Sequence, residues 1–364
     1  MSIARYLLLL AALPCWAQSP RLVSQSDVEA HCQRPVLSPD ARWVAYEMSL
    51  SGQRKELFAI RLDGGRPIRI VPSGGGSRFG GPVDFVCQEA CWDPSGRPRL
   101  LFSCAERGLG NYDLYLAEVF EDHATVARVT TDPANEGGPA WGLLGGSDFI
   151  VFTSAKTGAG DLYRLDLSGG TPERLTRSLT TDDFAVLARS MDRLLFVQRT
   201  SRAGGEGVYQ LSVPPSGDAM KLADWPGSDE TNPSISPDGR RVAFYSNRGH
   251  RNGQDEAFDL YVVEAGGKPR LLYKKVAKSD GMGPAWLPDG SAIVTAVKDG
   301  LDPLVMVSMT GAPLRVLKTG TEMNGDVSIG SPGGGKARMV FTAQGLAGER
   351  GVKRWRRLYV LDLP

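Results

Sequence analysis

A segment that recurs seven times along the chain constrains the fold more than any other feature of the sequence. Its clearest copy spans 233–247 and 259–272. It contains a short strand, a Pro-Asp-Gly turn, a strand of alternating apolar residues, a loop, a third strand, a Gly-Gly turn and a last strand. Each unit therefore contains four strands joined mainly by tight turns.

The repeats follow one another at a regular distance. The equivalent turn positions are Pro39, Pro94, Leu143, Arg189, Pro237, Pro288 and Pro332. Their mean separation of about 49 residues is close to the length of one propeller blade. A single four-stranded sheet leaves both apolar faces uncovered, whereas neighbouring sheets stacked around a ring bury them. We therefore expect an all-β fold, a seven-bladed β-propeller of four-stranded antiparallel blades, with six or eight blades as alternatives.

The two ends of the chain are expected to share the last blade. The seventh unit stops at residue 364 before a fourth strand. The segment 20–23, Pro-Arg-Leu-Val, is similar to the fourth-strand segment 269–272, Pro-Arg-Leu-Leu. An N-terminal strand formed by 20–23 would close the ring and remove an exposed strand edge that favours aggregation.

Residues 1–17 are typical of a signal peptide. Arg5 supplies the positive charge, 6–13 form an apolar run, and 15–17 form a small-residue cleavage site. A lipoprotein signal with Cys15 as the lipidated residue is the alternative. The apolar run is too short to span a bilayer, and no later segment has the apolar length of a membrane helix. We expect one propeller domain over 18–364, monomeric, without a transmembrane segment, and periplasmic or secreted.

Charge and composition narrow the partner classes. The 42 Lys and Arg residues nearly balance the 41 Asp and Glu residues, so no bulk field attracts nucleic acid or anionic lipid. The 44 glycines and 24 prolines are many for a helical protein and favour strands joined by turns. We expect an envelope protein, a peptide or a glycan as partner, and no nucleic acid.

Four cysteines remain after removal of the leader, namely Cys32, Cys87, Cys91 and Cys104. An oxidising compartment permits disulfides between them, and four cysteines allow three pairings. Cys87 and Cys104 lie near the far ends of one predicted hairpin, which favours their pairing and leaves Cys32 to pair with Cys91. A zinc site of four thiolates is the alternative interpretation.

The turn sequences resemble those of a known family. They read SPDG at 236–239, SPDA at 38–41, DPSG at 93–96 and LPDG at 287–290, with FYSNR and DLYVV downstream of the first. They are similar to the repeats of TolB-type propellers, which also occur in the propeller domains of prolyl-oligopeptidase relatives. The resemblance covers the mature chain and implies a propeller without fixing a function. TolB itself suggests six blades and a preceding α/β domain, for which we expect no counterpart here.

Candidate ligand-binding carboxylates lie at the start of the first strand in several repeats. They are Glu136, Asp182, Asp183, Glu230 and Asp280. Strand order puts the second-to-third and fourth-to-first connections on one face, called here the long-loop face, around the channel mouth. Converging carboxylates there suit calcium or a basic ligand. The alternative is that they accept hydrogen bonds from loop backbone. No other cofactor is expected.

A second candidate is a basic and aromatic group near the C-terminus. Arg354 and Trp355 lie within the basic run 353–357, which can be joined by the basic residues of 248–251 from another loop. Arg and Trp are enriched among residues that dominate binding energy. A solvated charged face is the alternative.

Aromatic residues that recur at equivalent positions are expected in the core. Trp92, Trp141 and Trp286 occupy equivalent innermost-strand positions, and tyrosines repeat in the third strands. These third-strand tyrosines are Tyr115, Tyr163, Tyr209, Tyr261 and Tyr359. Their repetition predicts packing between blades.

No catalytic motif stands out. The sequence contains no G-x-S-x-G nucleophile elbow, no S-x-x-K, no H-E-x-x-H and no phosphate-binding G-x-x-x-x-G-K. The leading hypothesis is therefore a binding scaffold for an envelope protein, peptide or glycan rather than an enzyme. The alternative is a carbohydrate-active lyase or hydrolase that uses carboxylates at the channel mouth.

Overall fold

Strands make up nearly all of the regular structure. The computed structural model describes residues 19–24, 30–50, 54–72, 84–106, 110–188, 192–199, 205–250, 257–279, 281–333, 335–346 and 355–363. One short 3-10 helix, Ala155–Thr157, interrupts the strands. Over these ranges no helix is long and apolar enough to cross a membrane.

The strands alternate with short turns and longer loops. In the first half of the chain they are β1 (Arg21–Leu22), β2 (Ala30–Leu37), β3 (Trp43–Leu50), β4 (Arg54–Arg61), β5 (Ile68–Ile70), β6 (Phe85–Trp92), β7 (Arg99–Glu106), β8 (Asp113–Val119), β9 (Ala124–Arg128), β10 (Glu136–Leu144), β11 (Ser147–Ser154), β12 (Asp161–Asp166) and β13 (Glu173–Arg174). In the second half they are β14 (Asp182–Leu187), β15 (Arg193–Arg199), β16 (Glu206–Ser212), β17 (Met220–Ala223), β18 (Glu230–Ile235), β19 (Arg241–Ser246), β20 (Phe258–Glu264), β21 (Arg270–Ala277), β22 (Ala285–Trp286), β23 (Ala292–Val297), β24 (Leu304–Ser308), β25 (Pro313–Leu317), β26 (Thr321–Gly333), β27 (Lys336–Leu346) and β28 (Arg356–Leu363).

The strands form an all-β propeller of four-stranded antiparallel blades. The first to fourth blades are β2–β5, β6–β9, β10–β13 and β14–β17, and the closing blade has the order β1-β28-β27-β26. The other strands form one eight-stranded sheet, β18-β19-β20-β21-β23-β24-β25, with β22 paired to β23.

The number of separate blades corrects the prediction of seven, because five sheets are separate four-stranded blades. Strand β21 is eight residues long, and its last two residues, Val276 and Ala277, pair with Val297 and Ala296 of β23. This pairing merges the strands of two consecutive repeats into the eight-stranded sheet.

The N-terminal strand completes the closing blade, as the sequence predicts. Arg21 pairs with Val360 and Leu22 with Tyr359, both in β28. The amide of Val23 donates to the carbonyl of Leu358 at 2.8 Å. Buried apolar residues of the first and closing blades then form one cluster, so the first and last parts of the chain close the ring.

The Ser-Pro-Asp-Gly turn is held by its own side chains. In the 236–239 copy, the Ser236 hydroxyl donates to Asp238 and accepts from the amide of Arg241. Gly239 then adopts a φ of 72°, where glycine carries no steric cost. The 38–41 copy keeps the same serine and aspartate contacts but places Ala41 at a φ of 52°. The turn therefore depends more on the serine and aspartate side chains than on the glycine.

Cross-strand aromatic pairs fill the space between blades. A phenylalanine of the second strand lies directly opposite a tyrosine of the third strand, with ring centroids 5.7–6.1 Å apart. These pairs are Phe102 with Tyr115, Phe152 with Tyr163, Phe196 with Tyr209, Phe244 with Tyr261 and Phe341 with Tyr359. The predicted tryptophans Trp92, Trp141 and Trp286 are also buried. The expectation that these recurring aromatic residues pack in the core is confirmed.

The cysteines form one disulfide. Cys87 and Cys104 lie opposite each other on β6 and β7 and are bonded, as the hairpin positions predict. The pairing of Cys32 with Cys91 is wrong, because both are free thiols. Cys32 lies in the cluster between the first and closing blades, whereas Cys91 packs against the core between the second and third blades. These two cores are separate, so the thiols cannot meet.

Candidate functional site in the central channel

The innermost strands share a bulge that faces the centre of the ring. In six blade units the pairing of the innermost strand with its neighbour shifts register at this point, namely for β2, β6, β10, β14, β18 and β26. The residue at the bulge has a left-handed backbone in six places, namely Arg34, Glu89, Gly138, Phe184, Asn232 and Asp326, with φ between 43° and 60°. Bulges of this kind re-aim a side chain and often lie beside functional sites.

Five of the six bulge positions are occupied by residues with a side chain, although glycine would be the least strained residue at such a backbone conformation. Only Gly138 among these six residues avoids the steric cost of a positive φ. A bulky residue such as Phe184, at a φ of 53°, persists there only because its surroundings hold it. Such strain clusters at binding and active sites. The bulges therefore favour a functional role for the side chains they carry.

Five of these bulge residues, all except Asp326, line one cavity of about 160 Å³. Its lining includes Arg34, Glu89, Phe184 and Asn232, together with Met282. A cation, a carboxylate, an amide, an aromatic ring and a thioether thus meet in one space. This mixture of apolar surface and a few polar groups is typical of a ligand site on a rigid scaffold.

A buried ion-pair network fixes the charged side of the cavity. The Arg34 guanidinium lies 3.6 Å from a Glu47 oxygen and 3.6 Å from a Glu89 oxygen. The Glu47 side chain is 2% exposed, and it also lies 3.4 Å from the Lys55 ammonium. The Glu89 amide donates to Glu47 at 2.9 Å. A buried carboxylate needs several such partners to offset its loss of hydration, so the network holds Arg34 in place.

The same network continues into the neighbouring blades. Glu89 Oε2 accepts a hydrogen bond from the Gly138 amide at 2.7 Å and another from the Ser103 hydroxyl at 3.1 Å. On the other side, Asp326 Oδ2 accepts from the Arg34 amide at 3.3 Å. Side chains at the channel therefore bridge the closing, first, second and third blades and present a pre-formed surface.

The sequence-predicted residues Glu136, Asp182 and Glu230 begin β10, β14 and β18 and are almost fully buried. Glu230 accepts from the Trp225 amide at 2.8 Å and from the hydroxyls of Ser228 and Ser246 at 2.7 Å. Asp182 likewise accepts hydrogen bonds from a serine and a glutamine in its own blade. Glu230 thus agrees with the hydrogen-bonding interpretation, whereas Glu136 Oε2 and Asp182 Oδ2 are buried without a hydrogen bond among the described residues. Ligand binding by them stays a prediction.

Asp183 differs from its neighbour Asp182 because its side chain is 22% exposed. Burial raises the pKa of Asp183 to about 7, Glu206 and Glu89 add to the increase, and Arg199 opposes it. The Arg199 guanidinium lies 3.8 Å from Asp183 Oδ2. Asp183 is therefore a carboxyl group that exchanges a proton near neutral pH beside the cavity-lining Phe184.

Of the other predicted residues, the structure describes Trp355. Asp280 and Arg354 lie outside the described residues. Trp355 packs edge-on against His31, with ring centroids 4.8 Å apart, and the next amide, that of Arg356, donates to His31 Nδ1. Trp355 thus joins the closing blade to the first blade. The structure does not bring it together with the carboxylates.

Sequence reasoning did not single out Arg34, Glu89, Phe184 or Asn232. Each lies five residues before an equivalent turn position of its repeat. The sequence contained a signal for them: when the repeats are aligned, this one position carries a different type of side chain from repeat to repeat. A charged, an aromatic and an amide residue at one repeat position point to use of the side chain, since packing alone favours one residue type.

The cavity contains no feature that identifies a metal. Within the described ranges, no group of three or more His, Cys, Asp or Glu side chains is arranged to hold a metal ion. The calcium expected at the channel mouth stays a prediction. Metal analysis of the purified protein by mass spectrometry would test it directly.

The contribution of Glu136 to the stability of the fold depends on pH. Burial raises its pKa to about 7 from 4.5; the Thr130 hydroxyl opposes the increase, and the Asp113 carboxylate adds to it. A carboxyl with a raised pKa stabilises the fold fully below pH 4.5, and this contribution is lost as pH rises through 7. We expect Glu136→Gln to be more stable than wild type at pH 8 by on the order of 1–3 kcal/mol, and similar at pH 4.

Urea unfolding of both proteins across this pH range measures the difference. Glu173→Gln is the matched control, because Glu173 is exposed and its substitution should leave the pH profile unchanged. Identical profiles for Glu136→Gln and wild type would contradict the expected role of Glu136.

Comparison with known proteins finds both a family and structural relatives. The family model for the TolB beta propeller domain matches residues 82–271, just over half of the chain. A search of curated proteins finds no match. TolB from Acinetobacter baumannii is 18% identical with a TM-score of 0.51, over 85% of this chain and 66% of that protein. The chain thus spans slightly less than two thirds of that TolB.

Two enzymes also share the architecture. A puromycin-hydrolysing peptidase from Mycobacterium tuberculosis is 15% identical with a TM-score of 0.64, over 95% of this chain and 56% of that protein. Oligogalacturonate lyase from Vibrio parahaemolyticus is 12% identical with a TM-score of 0.60, over 95% of this chain and 98% of that protein. Identities this low indicate a common fold and carry no statement about activity.

Proposed function

Because the chain belongs to the TolB β-propeller family, we propose that it is an exported scaffold that binds a protein, peptide or glycan of the cell envelope in its central channel. One observation carries the proposal. Residues with left-handed backbone from the first to fourth blades and the eight-stranded sheet line one cavity, and most of them present side chains where glycine would be less strained.

The rigidity of the lining supports binding over a passive structural role. Arg34 and Glu89 are held by contacts to Glu47, Gly138 and Asp326. A ligand that enters the cavity therefore meets side chains already ordered, which lowers the entropic cost of association. Function on rigid β scaffolds is commonly carried by such positioned groups.

The disulfide supports export. The Cys87–Cys104 bond joins two neighbouring strands. Disulfides persist in oxidising compartments such as the periplasm and are rare in the cytosol. Together with the leader-like segment 1–17, this bond favours a periplasmic or secreted location.

A comparative pull-down tests the proposal. Phe184→Gly removes an aromatic wall of the cavity and relieves the positive φ, so the variant should stay folded. Phe120→Ala is the control, because Phe120 is 44% exposed and does not line the cavity. We expect wild type and Phe120→Ala to recover the same envelope protein or glycan, and Phe184→Gly to lose most of it.

Two results would contradict the proposal. One is equal recovery of every component by Phe184→Gly and wild type, which would mean that the cavity is not used. The other is the failure of wild type to enrich any envelope protein, peptide or glycan over an unrelated exported protein. Mass spectrometry and sugar analysis of the eluates distinguish the ligand classes.

A carbohydrate-active lyase or hydrolase is the second candidate, and Asp183 favours it. A carboxyl with a pKa near 7 suits general acid or base catalysis at neutral pH. Oligogalacturonate is a reasonable first substrate, since a lyase of that name shares the fold. Turnover by wild type that is abolished in Asp183→Asn would support this candidate, and absence of turnover on uronate and neutral polymers would remove it.

A further inference from the structure

A second cavity, of about 420 Å³, opens on the long-loop face between the eight-stranded sheet and the closing blade. Its lining includes His250, Phe258, Lys278, Lys298, Asp302 and Arg356, and it is called here the basic pocket. It shares no lining residue with the channel cavity. Whatever it binds is therefore recognised separately from a channel ligand.

Cations reach the basic pocket from three different elements. Lys278 follows β21, Lys298 follows β23, and Arg356 begins β28. Both lysines are exposed, and neither forms an ion pair with a residue in the described part of the chain. The Arg356 guanidinium is 3.9 Å from an Asp326 oxygen, at the outer limit of an ion pair. Within the described ranges, the pocket thus concentrates positive charge that ion pairs do not neutralise.

The carboxylates at this pocket are committed to local contacts. Asp302 is 2% exposed, and its Oδ1 accepts from the amides of Asp299 and Gly300 at 3.3 Å. Asp259 bonds His250 at 3.0 Å and accepts from the Lys275 amide at 2.9 Å. These acids order the loops that form the walls. The lysines remain available for an external anion.

The neutral groups of the pocket are also engaged. The Asn247 side chain accepts from the Asp229 amide at 2.8 Å and donates to the Asp229 carboxylate at 2.7 Å. One face of Phe258 is covered by the Lys278 ammonium, 5.2 Å from the ring centroid. A sugar ring needs hydroxyl partners and a free aromatic face, and both are reduced here. Recognition by charge alone suits flexible side-chain carboxylates better.

We propose that the basic pocket binds an acidic peptide segment, with carboxylates of successive side chains held by Lys278, Lys298 and Arg356. The three cations come from separate elements, so one extended peptide can contact all of them within one open cavity. Opposite charges across such a surface set specificity and speed association. The binding weakens as salt concentration rises, because exposed charges are screened.

Fluorescence anisotropy with a labelled hexaglutamate peptide tests the proposal on the full mature protein. The test variant is Lys278→Gln with Lys298→Gln, which removes two cations of the pocket. The matched control is Lys268→Gln with Lys336→Gln, two exposed lysines near the tight turns on the opposite face. Both variants change the net charge equally, and neither lysine pair is buried, so both proteins should fold.

We expect hexaglutamate to bind wild type and the control alike, and the test variant about tenfold more weakly. Equal weakening in the two variants would overturn the proposal, because net charge alone would then explain binding. Failure of wild type to bind hexaglutamate, or tighter binding of oligogalacturonate than of hexaglutamate, would also overturn it. Unchanged hexaglutamate binding by Phe184→Gly would show that this site is independent of the channel.

Discussion

Replacement of Phe152 by alanine lowers the free energy of unfolding by about 3–5 kcal/mol. Phe152 is fully buried in the core between the second and third blades and lies opposite Tyr163, with ring centroids 6.1 Å apart. The surrounding Leu101 and Leu114 belong to strands of another blade and cannot collapse into the space without moving that sheet. Both the apolar transfer energy and the cavity therefore contribute to the loss.

Chemical denaturation of wild type, Phe152→Ala and Phe120→Ala measures this effect. The two substitutions remove the same atoms, but Phe120 is 44% exposed. We expect Phe120→Ala to change the free energy of unfolding by less than about 0.5 kcal/mol. Similar losses for the two variants would mean that Phe152 does not lie in a packed core between blades.

Removal of the N-terminal strand should destabilise the whole ring. A mature chain that begins at residue 25 lacks the two β1 pairs with β28, the Val23 amide bond to Leu358 and the Ser24 hydroxyl that accepts from the Leu358 amide. At about 0.5–1.5 kcal/mol for each lost hydrogen bond, we expect a loss of about 3–5 kcal/mol. The uncovered edge of β28 should also promote association.

The control for this truncation is the chain that begins at Gln18, the expected mature N-terminus. Thermal unfolding and size-exclusion chromatography of the two chains give stability and oligomeric state. If the truncated chain were as stable and as monomeric as the control, ring closure by β1 would contribute nothing, and the described pairing would lack energetic importance.

The repeats made the fold class predictable because each copy encodes the same strands and turns. The Ser236 and Asp238 side chains specify one tight turn locally, and the tyrosine that recurs in five of the third strands specifies one packing position. Such signals lie within a few residues of one another. They predict blades and ring closure without knowledge of long-range contacts.

The merging of two repeats into one eight-stranded sheet was not predictable from the same signals. The pairing of Val276 with Val297 joins two repeats through residues beyond the end of a typical fourth strand. Whether two sheet edges meet depends on their distance and twist in the ring. No local sequence pattern records that distance.

The channel site was only partly predictable. Sequence position correctly directed attention to the start of the innermost strands, but it favoured acidic residues such as Glu230 that the fold uses for its own loops. The side chains that line the cavity are set by a bulge two residues further along, for example at Asn232. A left-handed bulge at a non-glycine residue has no signature within a single repeat, so Arg34 and Phe184 could be found only by comparing the repeats at that fixed offset.

Photo-cross-linking from the channel in intact cells tests whether the cavity binds an envelope component. A benzoylphenylalanine residue is introduced in place of Phe184, which lines the cavity, and in a separate protein in place of the exposed Phe120. We expect light to yield a covalent adduct with one envelope component from the Phe184 position and none from the Phe120 position. Absence of any adduct at the Phe184 position, or the same adducts from both positions, would contradict binding in the cavity.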